Sequence, residues 1–103
     1  MRVWHEETFG PVLPVVSFST ELEAIERVND SEFGLSACIA TPDDDQFARI
    51  AKQLHVGMVA RDEVVFSNAY VPFGGYKHLG MGRENGELGF HDVTQAKLVS
   101  QKK

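Results

Sequence analysis

Short apolar runs alternate with two helical patterns between residues 12 and 61, and this alternation restricts the fold more than any other feature. The runs occupy residues 12–18 (VLPVVSF), 35–41 (LSACIAT) and 58–61 (MVAR). They are short and contain mostly β-branched or small apolar residues, which is typical of strands covered on both faces. Short connections through helices favour right-handed crossovers between parallel strands. The sequence therefore predicts an α/β fold with a strand–helix–strand–helix–strand unit and a mainly parallel sheet.

Three further features are predicted beyond this unit. A glycine-rich loop occupies residues 71–85, a short helix residues 87–92 and a C-terminal edge strand residues 94–100. The polar start, residues 1–8, has neither a helix cap nor a strand pattern, which indicates that more protein precedes it. We therefore assign residues 1–103 to a single partial domain.

Both predicted helices begin at recognisable caps. Thr20 and Glu23 have the spacing of a capping box, in which the hydroxyl accepts from a first-turn amide while the carboxylate reaches back. Thr41 followed by Pro42 predicts a threonine N-cap for the second helix, with proline at its first position. These caps support the alternation of strands and helices.

Composition excludes several classes of partner. The net charge of −5 argues against a broad nucleic-acid-binding surface, which needs clustered Lys and Arg. No apolar run approaches the roughly 20 residues of a membrane-spanning helix, and the start lacks the pattern of a signal peptide. The single cysteine fits a reducing compartment. We expect a cytoplasmic protein that binds neither nucleic acid nor membrane.

The glycine-rich loop holds four of the nine glycines, so we tested it as a phosphate-binding loop. Gly75 and Gly80 have the spacing that opens a P-loop, but Met81 and Gly82 replace the required Lys and Ser or Thr. A dinucleotide fingerprint fails as well, because its sixth position is Asn85. We predict a tight loop that packs against other backbone.

Candidate catalytic and metal-binding side chains are few. Cys38 lies between Ala37 and Ile39, with no histidine or charged neighbour to activate a thiolate, so we expect a buried structural thiol. The four histidines show no spacing typical of metal ligands. We assign no catalytic and no metal-binding residue. The pair Glu6 and Glu7 is either solvated or includes a carboxylate fixed to bind ribose hydroxyls, and both interpretations stay open.

Three motifs together resemble one enzyme family. They are EETFGPV at residues 6–12, NDSEFGL at residues 29–35, and PFGGYK at residues 72–77 followed by GMGRE at residues 80–84. Their order and spacing are similar to the C-terminal portion of the aldehyde dehydrogenase superfamily. The resemblance extends from about residue 5 to residue 99 and covers the last fifth of a full subunit.

The resemblance implies roles for four residues. In the family, the Glu of Glu-x-Phe-Gly-Pro binds the ribose hydroxyls beside the nicotinamide, and the Phe packs near the nicotinamide; these correspond to Glu7 and Phe9. The aromatic residue of Pro-Phe-Gly-Gly lines the aldehyde entrance and corresponds to Phe73, while the preceding loop places Phe66 in the substrate pocket. The implied cofactor is NAD or NADP. Residues 94–100 correspond to a strand that completes a sheet between subunits, which implies a homo-oligomer.

The same resemblance implies that essential parts are missing. The family's nucleophilic Cys, general-base Glu, oxyanion-stabilising Asn and Rossmann half all precede the matching region, and Cys38 is not in the nucleophile's context. Aldehyde oxidation needs a thiolate and a bound nicotinamide. We therefore expect the chain alone to be inactive and to bind no cofactor. Its expected partner is a second copy or the N-terminal part of the subunit.

Two other functions stay open. The chain is alternatively a free-standing, non-enzymatic α/β module that self-associates through exposed strand edges. A weaker alternative is residual nucleotide binding through Glu7 and the glycine-rich loop. The sequence gives conflicting indications of the aldehyde substrate. SN at residues 67–68 resembles semialdehyde dehydrogenases, whereas RENG at residues 83–86 resembles betaine-aldehyde enzymes.

One stretch departs from the family. Residues 61–63 (RDE) are charged where the family usually continues apolar and reaches an Asn. Unpaired buried charges are costly. Either this strand end is exposed, or the segment no longer serves the family's substrate tunnel.

Overall fold

The computed structural model describes residues 1–65 and 67–102. In chain order its elements are α1 (Arg2–His5), α2 (Glu21–Asn29), β1 (Phe33–Gly34), β2 (Ser36–Ile39), α3 (Asp44–Ala51), β3 (Met58–Arg61), β4 (Tyr76–Lys77) and α4 (Gly86–Asp92). The predicted mixture of helices and strands is confirmed. The predicted third strand and the predicted C-terminal short helix also appear, as β3 and α4.

Two separate two-stranded ladders contain the strands of the described residues. β2 and β3 pair in parallel, with Ser36 opposite Met58 and Ile39 opposite Arg61. α3 lies between them in the chain and forms the crossover that the sequence predicts at this point. β1 and β4 pair in antiparallel fashion. Among the described residues, parallel pairing is therefore limited to one ladder, and they do not form the single, mainly parallel sheet expected from the sequence.

Two predicted strands are wrong. Residues 12–18 and residues 94–100 are extended or irregular and belong to no strand. Their apolar side chains face solvent, with Leu13 84% exposed and Leu98 93% exposed. A strand forms only where a neighbouring strand accepts and donates its backbone hydrogen bonds. Neither segment has such a neighbour among the described residues.

The capping box of α2 is confirmed. The Thr20 Oγ1 accepts from the N–H of Glu23 at 3.2 Å, and the Glu23 carboxylate accepts from the N–H of Ser19 at 2.9 Å. Arg27, one turn later, donates to the same carboxylate at 2.8 Å. The Ser19 amide and then the Arg27 guanidinium hold the pKa of Glu23 below its ordinary value.

The predicted threonine cap of α3 is wrong. The N-cap is Asp43, whose carboxylate accepts from the N–H of Gln46 at 3.0 Å. The Thr41 hydroxyl instead accepts from the N–H of Asp43 at 3.2 Å, one turn before the helix. Arg49 of α3 donates to Glu21 of α2 at 2.8 Å, so an ion pair links the two helices. Arg49 and then Gln46 hold the pKa of Glu21 below its ordinary value.

The molecule is elongated and has little core. Its radius of gyration is 18.1 Å and its extents are 69 × 33 × 22 Å, whereas a compact domain of about 100 residues has a radius near 13 Å. The accessible surface is 8755 Å², against about 5,800 Å² for a compact monomer of this size. Among the described residues, the buried apolar side chains are Ile25, Leu54 and Ala60. Many large apolar side chains are exposed instead.

Cys38 shows this exposure at a single residue. The expectation of a buried thiol is wrong, because Cys38 is exposed on β2. The strand face on which it lies borders an open groove. Within residues 1–65 and 67–102, no helix is long and apolar enough to cross a membrane.

Candidate functional site

The glycine-rich loop packs against the start of β3, as the sequence predicts. A Cβ added to Gly57 would lie 1.8 Å from the carbonyl oxygen of Gly74 and 3.0 Å from the Cα of Gly75. Both neighbours are backbone atoms, so the contact depends on the missing Cβ of Gly57. The prediction of a loop that packs against other backbone is confirmed.

Arg83 holds the loop in this position. Its Nη1 donates to the carbonyl of Gly82 at 2.8 Å and to the carbonyl of Gly75 at 3.1 Å. Its guanidinium lies over the Tyr76 ring, 5.5 Å from the ring centre. A half-buried guanidinium with these contacts ties the loop to itself through hydrogen bonds and a cation–π interaction. The sequence showed the glycines but gave no sign of this role for Arg83.

Phe73 is anchored by its backbone. Its N–H donates to the carbonyl of Glu84 at 2.8 Å, and the N–H of Glu84 donates back to Phe73 at 2.8 Å. The side chain is half-buried. It lines an open cavity of about 350 Å³ together with Leu35 and Leu79. The anchor gives Phe73 a defined position beside a cavity.

The second family motif, residues 29–35, joins the loop to both helices. Lys77 Nζ donates to the carbonyls of Asn29 and Ser31, each at 2.9 Å, and so caps the end of α2. The Asn29 side chain donates to the carbonyl of Gln53 at 2.8 Å and accepts from the N–H of His55 at 2.8 Å. Asn29 therefore ties α2 to the segment after α3. Sequence analysis missed this role, since both partners of Asn29 are backbone groups remote in sequence.

Glu7 and Phe9 lie on an exposed segment. Phe9 is 95% exposed, and Glu7 lines an open cavity of about 290 Å³ near Trp4 and Phe33. Glu6, not Glu7, forms the local ion pair, which joins it to an arginine in α1 at 2.9 Å. Among the described residues, Glu7 has no side-chain hydrogen bond. Its carboxylate is therefore available to a ligand.

The predicted site residues do not converge on one pocket. Glu7 and Phe73 line two different cavities. Phe66, predicted to line the substrate pocket, lies outside the described residues. The structure thus places two halves of a candidate site on separate surfaces.

The charged end of β3 is paired rather than buried alone. Arg61 donates to the carbonyl of Thr41 at 2.8 Å, forms a close ion pair with Asp44, and lies 3.5 Å from the Asp62 carboxylate. Asp62 also accepts from the N–H of Thr41 at 3.1 Å. The hydrogen bond to Asp44 raises the pKa of Arg61 above its ordinary value. Asp62 and Glu63 are exposed, so the first of the two alternatives for this stretch, an exposed strand end, agrees with the structure.

No group of three or more His, Cys, Asp or Glu side chains is arranged to hold a metal ion in the part of the chain that the structure describes. Cys38 borders an apolar groove, and the described residues that line this groove include no Lys, Arg or His to activate a thiolate. Among these residues, Glu7 offers a carboxylate acceptor at an open cavity, and Phe9 and Phe73 offer apolar rings.

Comparisons with known proteins agree on one family. The model described as "Aldehyde dehydrogenase family" matches residues 1–99. Human mitochondrial succinate-semialdehyde dehydrogenase is 44% identical over 99 residues, which are 96% of this chain and 18% of that protein. The corresponding enzyme of Paenarthrobacter nicotinovorans is 43% identical over 94 residues, which are 91% of this chain and 21% of that protein.

Solved structures give the same result. Betaine aldehyde dehydrogenase from Staphylococcus aureus in complex with NAD+ has a TM-score of 0.85 and 41% identity, over 89% of this chain and 18% of that one. Succinate-semialdehyde dehydrogenase from Burkholderia pseudomallei has a TM-score of 0.84 and 42% identity, over 89% of this chain and 19% of that one. The chain spans about a fifth of the length of these relatives.

Proposed function

The chain belongs to the aldehyde dehydrogenase family, and we propose that it is the C-terminal segment of an NAD(P)-dependent subunit that oxidises an aldehyde to a carboxylic acid. The observation that carries this proposal is the family match over residues 1–99. The three motifs fall within the matched region in the expected order. We further propose a cytoplasmic location for the whole protein.

The cofactor side of the site is assigned to Glu7 and Phe9. A carboxylate without an internal partner accepts hydrogen bonds from two vicinal ribose hydroxyls, and Glu7 is such a carboxylate among the described residues. Phe9 presents an exposed apolar ring two residues later, suited to cover one face of a nicotinamide. These residues fit NAD or NADP, which supplies the hydride acceptor when bound. A relative of known structure is complexed with NAD+.

The substrate side is assigned to Phe73, with Phe66 as its predicted neighbour. Phe73 stands beside an open cavity on a backbone anchored at both of its polar groups. An anchored aromatic ring excludes water and orients an apolar part of an aldehyde without reacting with it. The relatives include both succinate-semialdehyde and betaine-aldehyde enzymes. Both classes of aldehyde should therefore be tested as substrates.

Catalysis needs more than these residues provide. Aldehyde oxidation needs a thiolate nucleophile, and a nicotinamide cofactor would supply the hydride acceptor when bound. Glu7, Phe9 and Phe73 bind and orient, and none of them is a nucleophile. We propose that the 103-residue chain alone is inactive and binds neither cofactor, and that it acts together with the rest of the subunit.

A chimera tests this proposal. The chain replaces the corresponding last fifth of human succinate-semialdehyde dehydrogenase, and NADH formation is followed with succinate semialdehyde and with betaine aldehyde. We expect the isolated chain to be inactive and the chimera to be active. In the chimera, Glu7→Gln should raise the KM for NAD about 10-fold or more, because the neutral amide accepts weaker hydrogen bonds.

Glu6→Gln is the matched control, since Glu6 has the same charge but is paired with Arg2 of α1. It should change the KM for NAD less than about 2-fold. Activity of the isolated chain, an inactive chimera that is folded, or equal effects of the two substitutions would each contradict the proposal.

A second candidate function is a non-enzymatic module that self-associates. The favouring observation is the accessible surface of 8755 Å² with many exposed apolar side chains. Surfaces of this kind associate in water, because association removes apolar area from solvent. Light scattering after size exclusion tests this candidate, and a monodisperse monomer would refute it.

A further inference from the structure

Asn85 has an unusual backbone conformation. Its φ is 62° and its ψ is 164°, a combination that residues other than glycine rarely adopt. A strained conformation of this kind persists only where the surrounding contacts fix it, and such residues are concentrated at functional sites. The contacts of Asn85 therefore indicate which part of the molecule its conformation holds in place.

The Asn85 side chain does not cap the helix that begins next to it. Asn85 is the N-cap residue of α4, a position at which asparagine commonly accepts a hydrogen bond from a first-turn N–H. Among the described residues its side chain accepts no such bond. The Nδ2 atom instead donates to the Ser67 Oγ at 3.1 Å, across 18 positions of sequence. The side chain thus makes a long-range contact in place of a local one.

The residues on either side of Asn85 contact the same region of the chain. Glu84 is paired with Phe73 through two backbone hydrogen bonds, each 2.8 Å long. The N–H of Gly86 donates to the carbonyl of Ala69 at 3.0 Å. These three consecutive residues therefore connect Phe73 with the segment just before it.

That segment, residues 67–71, we call the substrate-side loop. Its shape is fixed from within by Asn68, which accepts from the N–H groups two and three residues later at 2.9 and 3.2 Å. All five residues of the loop are exposed, so the core of this chain does not hold them. The hydrogen bonds that join the loop to the rest of the described chain come from Asn85 and Gly86. These two residues therefore set the position of the loop relative to Phe73.

We propose that Asn85 is a positioning residue for aldehyde binding, because its amide holds the substrate-side loop beside Phe73 and so determines which aldehydes are accepted. The inference rests on the proposed function, in which Phe73 and the loop before it form the substrate side. Asn85 acts through Ser67. A loop held by directed hydrogen bonds orients the substrate, whereas a loop released from them loses affinity and discrimination. The stretches with conflicting substrate indications, residues 67–68 and 83–86, meet in this hydrogen bond.

Steady-state kinetics of the chimera described above test this role. Asn85→Gly removes the amide and keeps a residue that tolerates a φ of 62°. We expect the KM for the preferred aldehyde to rise about 5-fold, the effect of one lost hydrogen bond. The ratio of kcat/KM for succinate semialdehyde and betaine aldehyde should move toward one. The KM for NAD should change less than about 2-fold, because the residue assigned to the ribose lines a different cavity from Phe73.

Two further substitutions separate positioning from general stability. Asn29→Ala removes two hydrogen bonds elsewhere in the chain and should change the KM for the aldehyde less than about 2-fold. Ser67→Ala removes the acceptor of the Asn85 amide and should raise that KM about as much as Asn85→Gly does. In a chimera that already carries Ser67→Ala, Asn85→Gly should have a further effect of less than about 2-fold, since both substitutions remove the same hydrogen bond.

The contact can also be tested in the 103-residue chain, without any activity. Ser67→Ala lies far from Gly86 in sequence and leaves the intrinsic exchange rate of the Gly86 amide unchanged. Hydrogen exchange of this amide, followed by NMR, should be about 5-fold faster in the variant, because protection reports the fraction of molecules in which the loop is released. The Ala24 amide, bonded to Thr20 at the start of α2, is the internal control.

The outcomes separate this inference from the proposed function. A folded but inactive chimera overturns both. An active chimera in which Asn85→Gly leaves the KM for the aldehyde unchanged, or raises the KM for NAD equally, overturns the positioning role alone. Independent effects of Asn85→Gly and Ser67→Ala, or an unchanged exchange rate of the Gly86 amide, also overturn it. If the Asn85→Gly chimera does not fold, the KM of the Ser67→Ala chimera and the amide exchange decide between support and refutation.

Discussion

Gly57→Ala should be among the most damaging single-methyl changes in the chain. The added Cβ would lie 1.8 Å from the Gly74 carbonyl oxygen, where ordinary contacts begin near 3.4 Å. The obstacle is backbone, so the loop or the start of β3 must move by roughly 1.5 Å, which breaks neighbouring contacts. Overpacking of this kind costs about 3 kcal/mol. With a urea m-value of about 1 kcal/mol/M, the unfolding midpoint should fall by about 3 M.

Two other glycines serve as controls for this prediction. Gly10→Ala meets nothing closer than 3.9 Å, so its midpoint should stay within about 0.5 M of the unsubstituted chain. Gly80 has a φ of +95° with nothing within 4 Å of an added Cβ, so Gly80→Ala isolates backbone strain. It should cost about 1 kcal/mol. If Gly57→Ala unfolded at the same urea concentration as Gly10→Ala by circular dichroism, the packing argument would be refuted.

Three further predictions concern stability measured by urea unfolding. Asn29→Ala should cost about 1–2 kcal/mol, because it removes both hydrogen bonds that tie α2 to the segment after α3; an unchanged midpoint would contradict this. Arg83→Met should cost about 1–2 kcal/mol through lost loop hydrogen bonds and the lost cation–π contact, and Arg83→Lys should recover only part of that loss. The lowered pKa values of Glu21 and Glu23 give stability that is present above the unfolded carboxyl pKa and lost as pH falls through the folded pKa. The urea concentration at the unfolding midpoint should therefore decrease when the pH is lowered below about 4.3. Glu21→Gln should make this decrease smaller.

Features encoded by near neighbours in sequence were predictable. The capping box at Thr20 lies within four residues, and it forms as predicted. β3 and α4 were located to within one residue, because glycines and charged residues mark their ends. Packing of the glycine-rich loop was also predicted, since the density of glycines indicates close backbone approach.

Features that depend on distant partners were not predictable from local patterns. The cap of α3 was predicted wrongly for a local reason instead, since Thr41 has the signature of an N-cap but Asp43 offers a carboxylate two residues later and takes that role. The connection made by Asn29 joins it to residues 24 and 26 positions away. Cys38 was expected to be buried because its strand pattern is that of an inner strand, and the pattern does not say whether the covering surface lies in the same chain.

The wrongly predicted strands and the divided site have one physical cause. Residues 12–18 have the composition of an inner strand, and an inner strand needs neighbours on both edges. The described residues supply neither, so the segment stays extended and exposed, and Glu7 and Phe9 just before it stay exposed as well. Pairing of residues 12–18 fixes the backbone that carries Glu7, because only four residues separate Glu7 from the start of the segment. Completion of the sheet and positioning of the Glu7 carboxylate, for which we propose ribose binding, are then coupled. From this coupling we infer that substitutions at Leu13 and Val15 in the chimera raise the KM for NAD without contacting it.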